Sequence, residues 1–238
     1  MAETLTGMLS YMAKMLPYLP HTFFYVFLSL LFGIILGFIC AMAKLGKNRV
    51  LRGIVEGYTT IMRCMPSITV LFLVFYLVPA LLRVYLGINI DGIGALFFVI
   101  LTFTLFLGAS LSEMMKASYL AVAKDQFEAA LSLGLTAPQA FRRIVLPQAF
   151  FYSLPNLGNT VIYLLKEGAL GYTLGLTDVM GKAYLMNADS YNVHALEIYC
   201  SLALVYWPVA LFVERVFKKL EEKFSYQKKE IREPVCAP

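Results

Sequence analysis

Charge is scarce in this sequence. Only 15% of its 238 residues are Asp, Glu, Lys or Arg, whereas about a quarter of a soluble domain is charged. The mean hydropathy is correspondingly high, at +0.72. This composition excludes an ordinary soluble domain and favours an integral membrane protein.

Cysteine and histidine are also few, and the sequence has no CxxC motif and no His/Cys cluster. Metal sites and disulfide frameworks need such spacings, so we expect no metal site. The four cysteines, Cys40, Cys64, Cys200 and Cys236, are interpreted as small apolar packing residues. Paired carboxylates and Ser/His arrangements are likewise missing, which disfavours a membrane-embedded enzyme.

A phosphate-binding loop is absent as well. The nearest stretch runs from Gly175 to Ala183, but its two glycines are one residue too far apart. Ala183 also stands where Ser or Thr would hold magnesium. We therefore expect no ATPase site and no cofactor in this chain.

Long uncharged runs, in contrast, are abundant. A membrane helix needs about 20 apolar residues, and the uncharged runs are 22–42, 64–82, 92–112, 144–165 and 198–213. We predict an all-α membrane bundle in a single domain over residues 1–238, with five transmembrane helices. Their expected bounds are about 22–44, 54–82, 92–115, 148–177 (a broken span) and 195–215.

Most of the basic residues fall on one side of such a five-span protein. Fifteen of the 20 follow the first, third or fifth span, within 44–52, 116–143 and 215–232. Because cytoplasmic loops carry an excess of Lys and Arg, we predict an N-terminus outside the cell and a C-terminus in the cytoplasm. The net charge of +5 therefore indicates topology and not nucleic-acid binding.

Ahead of the first span, Met8, Met12, Met15 and Leu19 recur at helical spacing. This segment is either a short helix on the outer membrane surface or an apolar lead-in to the first span. The sequence alone favours neither interpretation.

The predicted cytoplasmic loop, 124–147, carries signals for helix ends. Asp125 and Glu128 have the spacing of a capping box at a helix start. Gly134 suits the left-handed position that ends a helix. We therefore predict one short helix that ends in a tight turn at Gly134.

A second short helix is predicted to begin at Thr136, where Gln139 completes another capping box, and to end at Pro147. Each of the two helices has an apolar stripe, formed by Phe127, Ala130 and Leu131 in the first and by Phe141, Ile144 and Val145 in the second. Because such small surfaces need a partner, we expect the loop to dock into another protein.

The loop also matches a known motif. Glu128-Ala129-Ala130 is followed after three residues by Gly134, and after nine more by residues 144–147, I-V-L-P. This resembles the EAA---G---------I-LP loop of the permease subunits of binding-protein-dependent ABC importers, and all its signature positions match. The resemblance implies a type I importer permease whose loop contacts an ATPase subunit through Glu128, Ala129, Ala130, Gly134, Ile144, Leu146 and Pro147.

Two further stretches are similar to the polar-amino-acid branch of that family. Residues 63–66, R-C-M-P, resemble its R-G-T-P motif with two central residues changed. Residues 164–170, L-L-K-E-G-A-L, resemble its L-L-K-D-T-S-L motif. Glu167 replaces an aspartate, and Gly168 and Ala169 replace a Thr-Ser pair. If those hydroxyls contact substrate in relatives, we expect this chain to differ in selectivity.

Lys166 and Glu167 fall inside the predicted fourth span. As a straight helix, residues 147–177 would be about 46 Å long, against a hydrocarbon core of roughly 30 Å. We therefore expect a break near Lys166, with irregular backbone facing a protein cavity. Glu167 would bind an ammonium group and Lys166 a carboxylate, which suits an amino acid. The alternative is that the two side chains pair structurally, with each other or with neighbours.

Three more residues are assigned to this substrate site. Tyr163 lies one turn before Glu167, and Thr160 shares its face of the helix, although core packing is an alternative for both. Arg63 is the other charge within a predicted span. Its first interpretation is a structural pair with Glu113, and its second is contact with substrate.

Five spans are too few to enclose a pathway for a polar molecule, so we expect two permeases, either identical copies or relatives, in a bacterial cytoplasmic membrane. The resemblance implies two ATPase subunits, which carry ATP and Mg²⁺, and an external solute-binding protein as partners. The predicted substrate is a polar amino acid or a derivative such as cystine. A membrane scaffold or receptor subunit without an ATPase partner is the alternative.

Overall fold

The computed structural model describes residues 2–90, 92–122 and 124–232, so Cys236 lies outside the described residues. This part of the chain contains no strand, and the predicted all-α fold is confirmed. Its helices are α1 (Ala2–Met15), α2 (Leu19–Leu45), α3 (Arg49–Cys64), α4 (Ser67–Leu86), α5 (Ala95–Ala121), α6 (Lys124–Ser132), α7 (Ala137–Ala140), α8 (Leu146–Gly168), α9 (Val179–Asp189) and α10 (Ala195–Arg232).

Within the described residues, four helical segments are long and apolar enough to cross a membrane. They are Thr6–Leu45, Ser67–Leu86, Ala95–Ala121 and Ala195–Lys223. The predicted count of five is therefore not reproduced by this criterion. The helix left out is α8, whose 23 residues include several amides as well as Lys166 and Glu167.

Two of the predicted spans are interrupted. The second was expected to run unbroken over 54–82, but α3 ends at Cys64 and α4 begins only after Pro66. Met65 between them is extended, with φ −88° and ψ 143°, because a residue that precedes proline avoids the helical region. In the fourth span, α8 ends at Gly168 and a 3₁₀ helix, Ala169–Leu174, follows it.

The centre of the bundle is the contact between α2 and α5. A Cβ atom added at Gly33 would lie 2.6 Å from Cβ of Leu107, and one added at Gly37 would lie 2.9 Å from Cβ of Leu111. Such close approach of two membrane helices needs small residues. The matching order of these contacts also means that α2 and α5 run parallel. Buried residues of α8, Leu164 and Leu165, join the same core.

The N-terminal segment is a lead-in to the first span. Helix α1 passes into α2 through a single 3₁₀ turn, Leu16–Tyr18. Met15 is fully buried, and the hydroxyl of Ser201 in α10 donates to the carbonyl oxygen of Met8 at 3.1 Å. Because α1 packs on α10, it does not lie alone on a membrane surface.

A buried lysine ties three helices together at one end of the bundle. The side chain of Lys44 is fully buried, and its Nζ donates to Thr59 Oγ1 at 2.9 Å, to Ser112 Oγ at 3.0 Å and to Glu113 Oε1 at 2.5 Å. The predicted pair between Arg63 and Glu113 is therefore wrong. Lys44 lies in the last turn of α2, which packs directly on α5, whereas Arg63 lies in the last turn of α3 with an exposed side chain.

We predict that Lys44→Met lowers the free energy of unfolding by about 2–3 kcal/mol, because Glu113 and two hydroxyls lose their partner. This figure is below the usual cost of breaking a fully buried pair, since the side chain of Glu113 is 34% exposed. Thermal unfolding of the purified chain in detergent measures the effect. The exposed neighbour Lys47 is the matched control, and Lys47→Met is expected to change little. Equal losses for the two variants would contradict a structural role for Lys44.

Candidate functional site

The two interrupted spans meet inside the bundle. The hydroxyl of Ser67, the first residue of α4, donates to carboxylate oxygen Oε2 of Glu167, near the end of α8. A helix N-terminus carries partial positive charge and unpaired N–H groups. Glu167 therefore lies where α4 favours a negative charge. Ser67 was not predicted, although it directly follows the 63–66 motif.

Polar side chains form a stripe along one face of α8, which we call the α8 polar stripe. Its members are Asn156, Asn159, Thr160, Tyr163 and Glu167, which recur at helical spacing. All but Glu167 line an open groove of about 290 Å³ between α5 and α8. This groove is lined further by Phe103, Phe106, Leu107, Ser110 and Leu164.

The groove is open along one side. Asn156 and Asn159 are exposed, and Tyr163 is 48% exposed. Thr160 Oγ1 donates to the carbonyl oxygen of Asn156 at 2.8 Å, so its hydroxyl proton is hydrogen-bonded within α8. The prediction included Thr160 and Tyr163 but missed the two asparagines and Ser110. The signal for the asparagines was present in the sequence, because they lie three or four residues from the predicted pair.

Lys166 lies apart from the α8 polar stripe. Its side chain is exposed and does not line the groove. Consecutive residues of an α-helix point in directions about 100° apart. No ion pair forms between Lys166 and Glu167, both of which are described, and Glu167 accepts a hydrogen bond from Ser67. The structure thus gives no support to structural pairing of the two charges with each other.

Arg63 lies in the last turn of α3, just before the break that precedes Ser67. Its side chain is exposed, as is the neighbouring Cys64. The position is close in sequence to the contact between Ser67 and Glu167, but the guanidinium does not line the groove. A role in substrate binding stays a prediction.

The loop between α5 and α8 begins with α6 and a tight turn. Gly134 has φ +87°, and the amide of Leu135 donates to the carbonyl oxygen of Ala130 at 3.1 Å. The left-handed turn predicted at Gly134 is confirmed. The start of the helix differs from the prediction, because α6 begins at Lys124 and Asp125 lies in its first turn.

The second helix of the loop does not end where it was predicted to end. Its capping box is confirmed, since the amide of Thr136 donates to Gln139 Oε1 at 2.9 Å. Helix α7 then continues through a π-helical turn, Phe141–Val145, directly into α8. Pro147 lies in the first turn of α8 and does not close the pattern. Proline is compatible with that position, and a π-helical turn can occur inside a helix without ending it.

The apolar stripes of the loop are partly covered by the chain itself. Ala130 is 4% exposed and Val145 is 3% exposed. Phe127 and Val145 line a cleft of about 230 Å³ together with Tyr119 and Leu120 at the end of α5 and with Val122, which follows it.

The outward surface of the loop consists of other residues. Glu128 and Ala129 are exposed, and Leu133 is 84% exposed. Of the remaining residues assigned to this contact, Ile144 is half-buried, whereas Leu146 and Pro147 are exposed.

Comparisons with known sequences agree with this architecture. Residues 33–226 match a family described as binding-protein-dependent transport system inner membrane component. The L-cystine transport system permease protein TcyL of Bacillus subtilis is 36% identical over 208 residues, covering 87% of this chain and 86% of the relative. The histidine/lysine/arginine/ornithine transport system permease protein HisQ of Salmonella typhimurium is 34% identical over 200 residues, covering 83% of this chain and 87% of the relative.

Solved structures have the same fold. An amino acid ABC transporter crystallised with histidines superposes with a TM-score of 0.78 at 27% identity, over 91% of this chain and 96% of that one. The MetNI methionine ABC transporter, in an inward-facing conformation, superposes with a TM-score of 0.61 at 21% identity, over 87% of this chain and 92% of that one. At that identity the second likeness concerns the fold alone. With its interrupted helices, its capped loop and the family match over most of its length, the chain belongs to the binding-protein-dependent transport system inner membrane components.

Proposed function

We propose that this chain is the membrane-spanning subunit of an ATP-driven importer that moves a polar amino acid, or a derivative such as cystine, into a bacterial cell. The observation that carries the proposal is the α8 polar stripe, which ends on Glu167 beside the N-terminus of α4. Polar and ionisable groups inside a membrane bundle usually mark a substrate path, and interrupted helices often flank it. The names of the relatives refer to amino acids, all of which carry an ammonium and a carboxylate group.

Glu167 is the proposed ligand of the substrate's ammonium group. Ser67 contacts its Oε2 atom, and we assign the Oε1 atom to the substrate. Tyr163 and Thr160 line the approach along the α8 polar stripe. Lys166 and Arg63 are proposed to bind the substrate's carboxylate. Both are exposed on this chain, so they reach substrate only in a pathway that a second permease closes.

A second permease, either another copy or a relative, is proposed to cover the open side of the groove between α5 and α8. Exposed asparagines are costly against lipid, and Asn156 and Asn159 line this groove, which supports a protein partner there. An external solute-binding protein would deliver the substrate to the pathway. The ligands ATP and Mg²⁺ belong to two separate ATPase subunits.

The ATPase subunits are proposed to contact the outward surface of the loop at Glu128, Ala129 and Leu133. Because α7 continues through the π-turn into α8, a displacement of the loop moves the helix that carries the α8 polar stripe. Closure of the ATPase dimer would thus change access to Glu167, because no flexible joint separates the loop from α8. Rocking of rigid helices is a common form of switching.

We predict that one amino acid stimulates ATP hydrolysis by the complex of this chain, its ATPase and the loaded solute-binding protein in liposomes. Gly134→Val should abolish the stimulation, because valine does not tolerate φ +87°. Gly134→Asn is the matched control, since asparagine adopts this conformation with little strain. Glu167→Gln should weaken stimulation and change the order of preference across a panel of amino acids.

The contrary outcome is a complex whose ATP hydrolysis responds to no amino acid, or a chain that binds no ATPase. Either result would favour a scaffold or receptor subunit without energy coupling. Stimulation that survives Gly134→Val would instead contradict the assignment of the loop to ATPase contact.

The orientation in the membrane is proposed from the basic residues. Helices α2 and α5 run parallel, so Lys44 and Lys116 lie at the same end of the bundle. Phe217 of α10 packs against Gly158 in α8, which is consistent with the basic end of α10 lying at that end too. This end is proposed to be cytoplasmic, in the inner membrane of a bacterium.

We predict that a protease added to intact spheroplasts removes a tag from the N-terminus but not a tag from the C-terminus. In inverted vesicles the pattern should reverse, because the two termini lie on opposite sides of the membrane. Tags on a periplasmic and a cytoplasmic marker protein provide the controls. Cleavage of the C-terminal tag in intact spheroplasts would contradict the orientation.

A further inference from the structure

The backbone conformation of the residue that follows Glu167 does not require a glycine. Gly168 has φ −60° and ψ −27°, which any residue adopts in a right-handed helix. Yet a Cβ atom added there would lie 2.5 Å from Cε2 of Tyr25, 2.9 Å from its hydroxyl oxygen and 3.1 Å from its Cζ. The ring of Tyr25, from α2, is therefore what excludes a side chain at position 168.

Tyr25 is held firmly in this place. It is fully buried, and its hydroxyl donates to Oδ2 of Asp178 at 3.2 Å. Asp178 is also fully buried, and its Oδ1 accepts from the amide of Gly181 at 2.8 Å, which caps α9. The hydroxyl of Thr22, one turn before Tyr25, lies 3.5 Å from the same Oδ2 atom. The ring cannot turn away from Gly168 without breaking this network.

Tyr25 thereby fixes both sides of the interruption between α8 and α9. Its ring rests on the last residue of α8, and its hydroxyl binds the residue that caps α9. Between these two points the chain follows a 3₁₀ helix, Ala169–Leu174, and turns at Gly175 with φ +83°. Without the ring, the contact of α2 with the last residue of α8 would be lost.

We infer that Tyr25 is a positioning residue for substrate, which acts by seating its ring on Gly168 and so holding the carboxylate of Glu167 against Ser67. Glu167 is covalently next to Gly168, and its contact with Ser67 depends on where α8 ends. The inference rests on the proposed function, because it assigns the effect to the affinity for an amino acid. It also gives a reason for the glycine at position 168, because a threonine there would collide with Tyr25.

The first test is a double-mutant cycle in the thermal unfolding of the purified full chain. Gly168→Ala should lower the midpoint by several degrees in the wild-type background and by much less in the Tyr25→Ala background, because the added methyl group then has room. Gly53→Ala is the matched control, since Gly53 also lies in a helix but has open space around its Cβ position. That control should keep or raise the midpoint, as alanine favours helix over glycine. Losses that simply add would overturn the proposed contact.

The second test measures uptake by the reconstituted complex with its solute-binding protein. Tyr25→Ala and Gly168→Ala should each raise KM by about tenfold while the maximal rate changes by less than about threefold. Tyr25→Phe keeps the ring but loses its hydrogen bond to Asp178, so its KM should lie between those of the wild type and Tyr25→Ala, whereas Gly53→Ala should leave both constants unchanged. An unchanged KM in Tyr25→Ala would overturn the positioning role.

The two tests fail separately. If the wild-type complex takes up no amino acid, the proposed function is overturned, and with it the effect on affinity. The unfolding cycle then still decides whether Tyr25 holds the end of α8. Uptake that is normal in every variant, together with coupled unfolding, would overturn the inference and leave the proposed function intact.

Discussion

The close approach of α2 and α5 is the contact on which the other elements depend. Between membrane helices, lipid provides little hydrophobic driving force, so association relies on packing. Glycines from both helices contribute, because a Cβ atom at Gly108 would lie 2.6 Å from the side chain of Leu36 in the same way as Gly33 meets Leu107. This contact between α2 and α5 allows α2 to carry a buried polar network at each end, around Lys44 and around Tyr25. Through these networks α2 holds α3 at one end and the interruption after α8 at the other.

The interruptions place polar groups where continuous helices would have none. A helix satisfies its own backbone groups except at its ends, and inside a membrane those ends need protein partners. Here the start of α4 and the end of α8 meet, and Ser67 contacts Glu167. The loop differs in kind, because α7 and α8 join through a π-turn without a break. The chain is thus discontinuous beside Glu167 and continuous between Glu167 and the loop.

Local signals were predicted well and distant contacts poorly. Gly134 and the Thr136 capping box depend on a few neighbouring residues, so the sequence was sufficient to predict them. The partner of Glu113 depends instead on how α2 and α3 are positioned along α5, since both helices pack on it, and the sequence offers both Lys44 and Arg63 as partners. The expected end at Pro147 failed for another reason. Proline disturbs a helix through its missing N–H group and through its ring, but in the first turn of α8, directly after the π-helical turn, Pro147 is accommodated.

Gly134 and Gly168 illustrate why a glycine in a motif has more than one physical meaning. At Gly134 the backbone is left-handed and a Cβ atom would meet nothing within 4 Å, so conformation selects the residue. At Gly168 the backbone is ordinary and the neighbour Tyr25 leaves no space, so packing selects it. The absence of a Thr-Ser pair at 168–169 was first interpreted as the loss of two hydroxyls from a substrate site. Because the ring of Tyr25 stands where that threonine would be, the glycine at position 168 is better explained by contact with a residue more than 140 positions away in the sequence, whereas nothing in the structure explains Ala169.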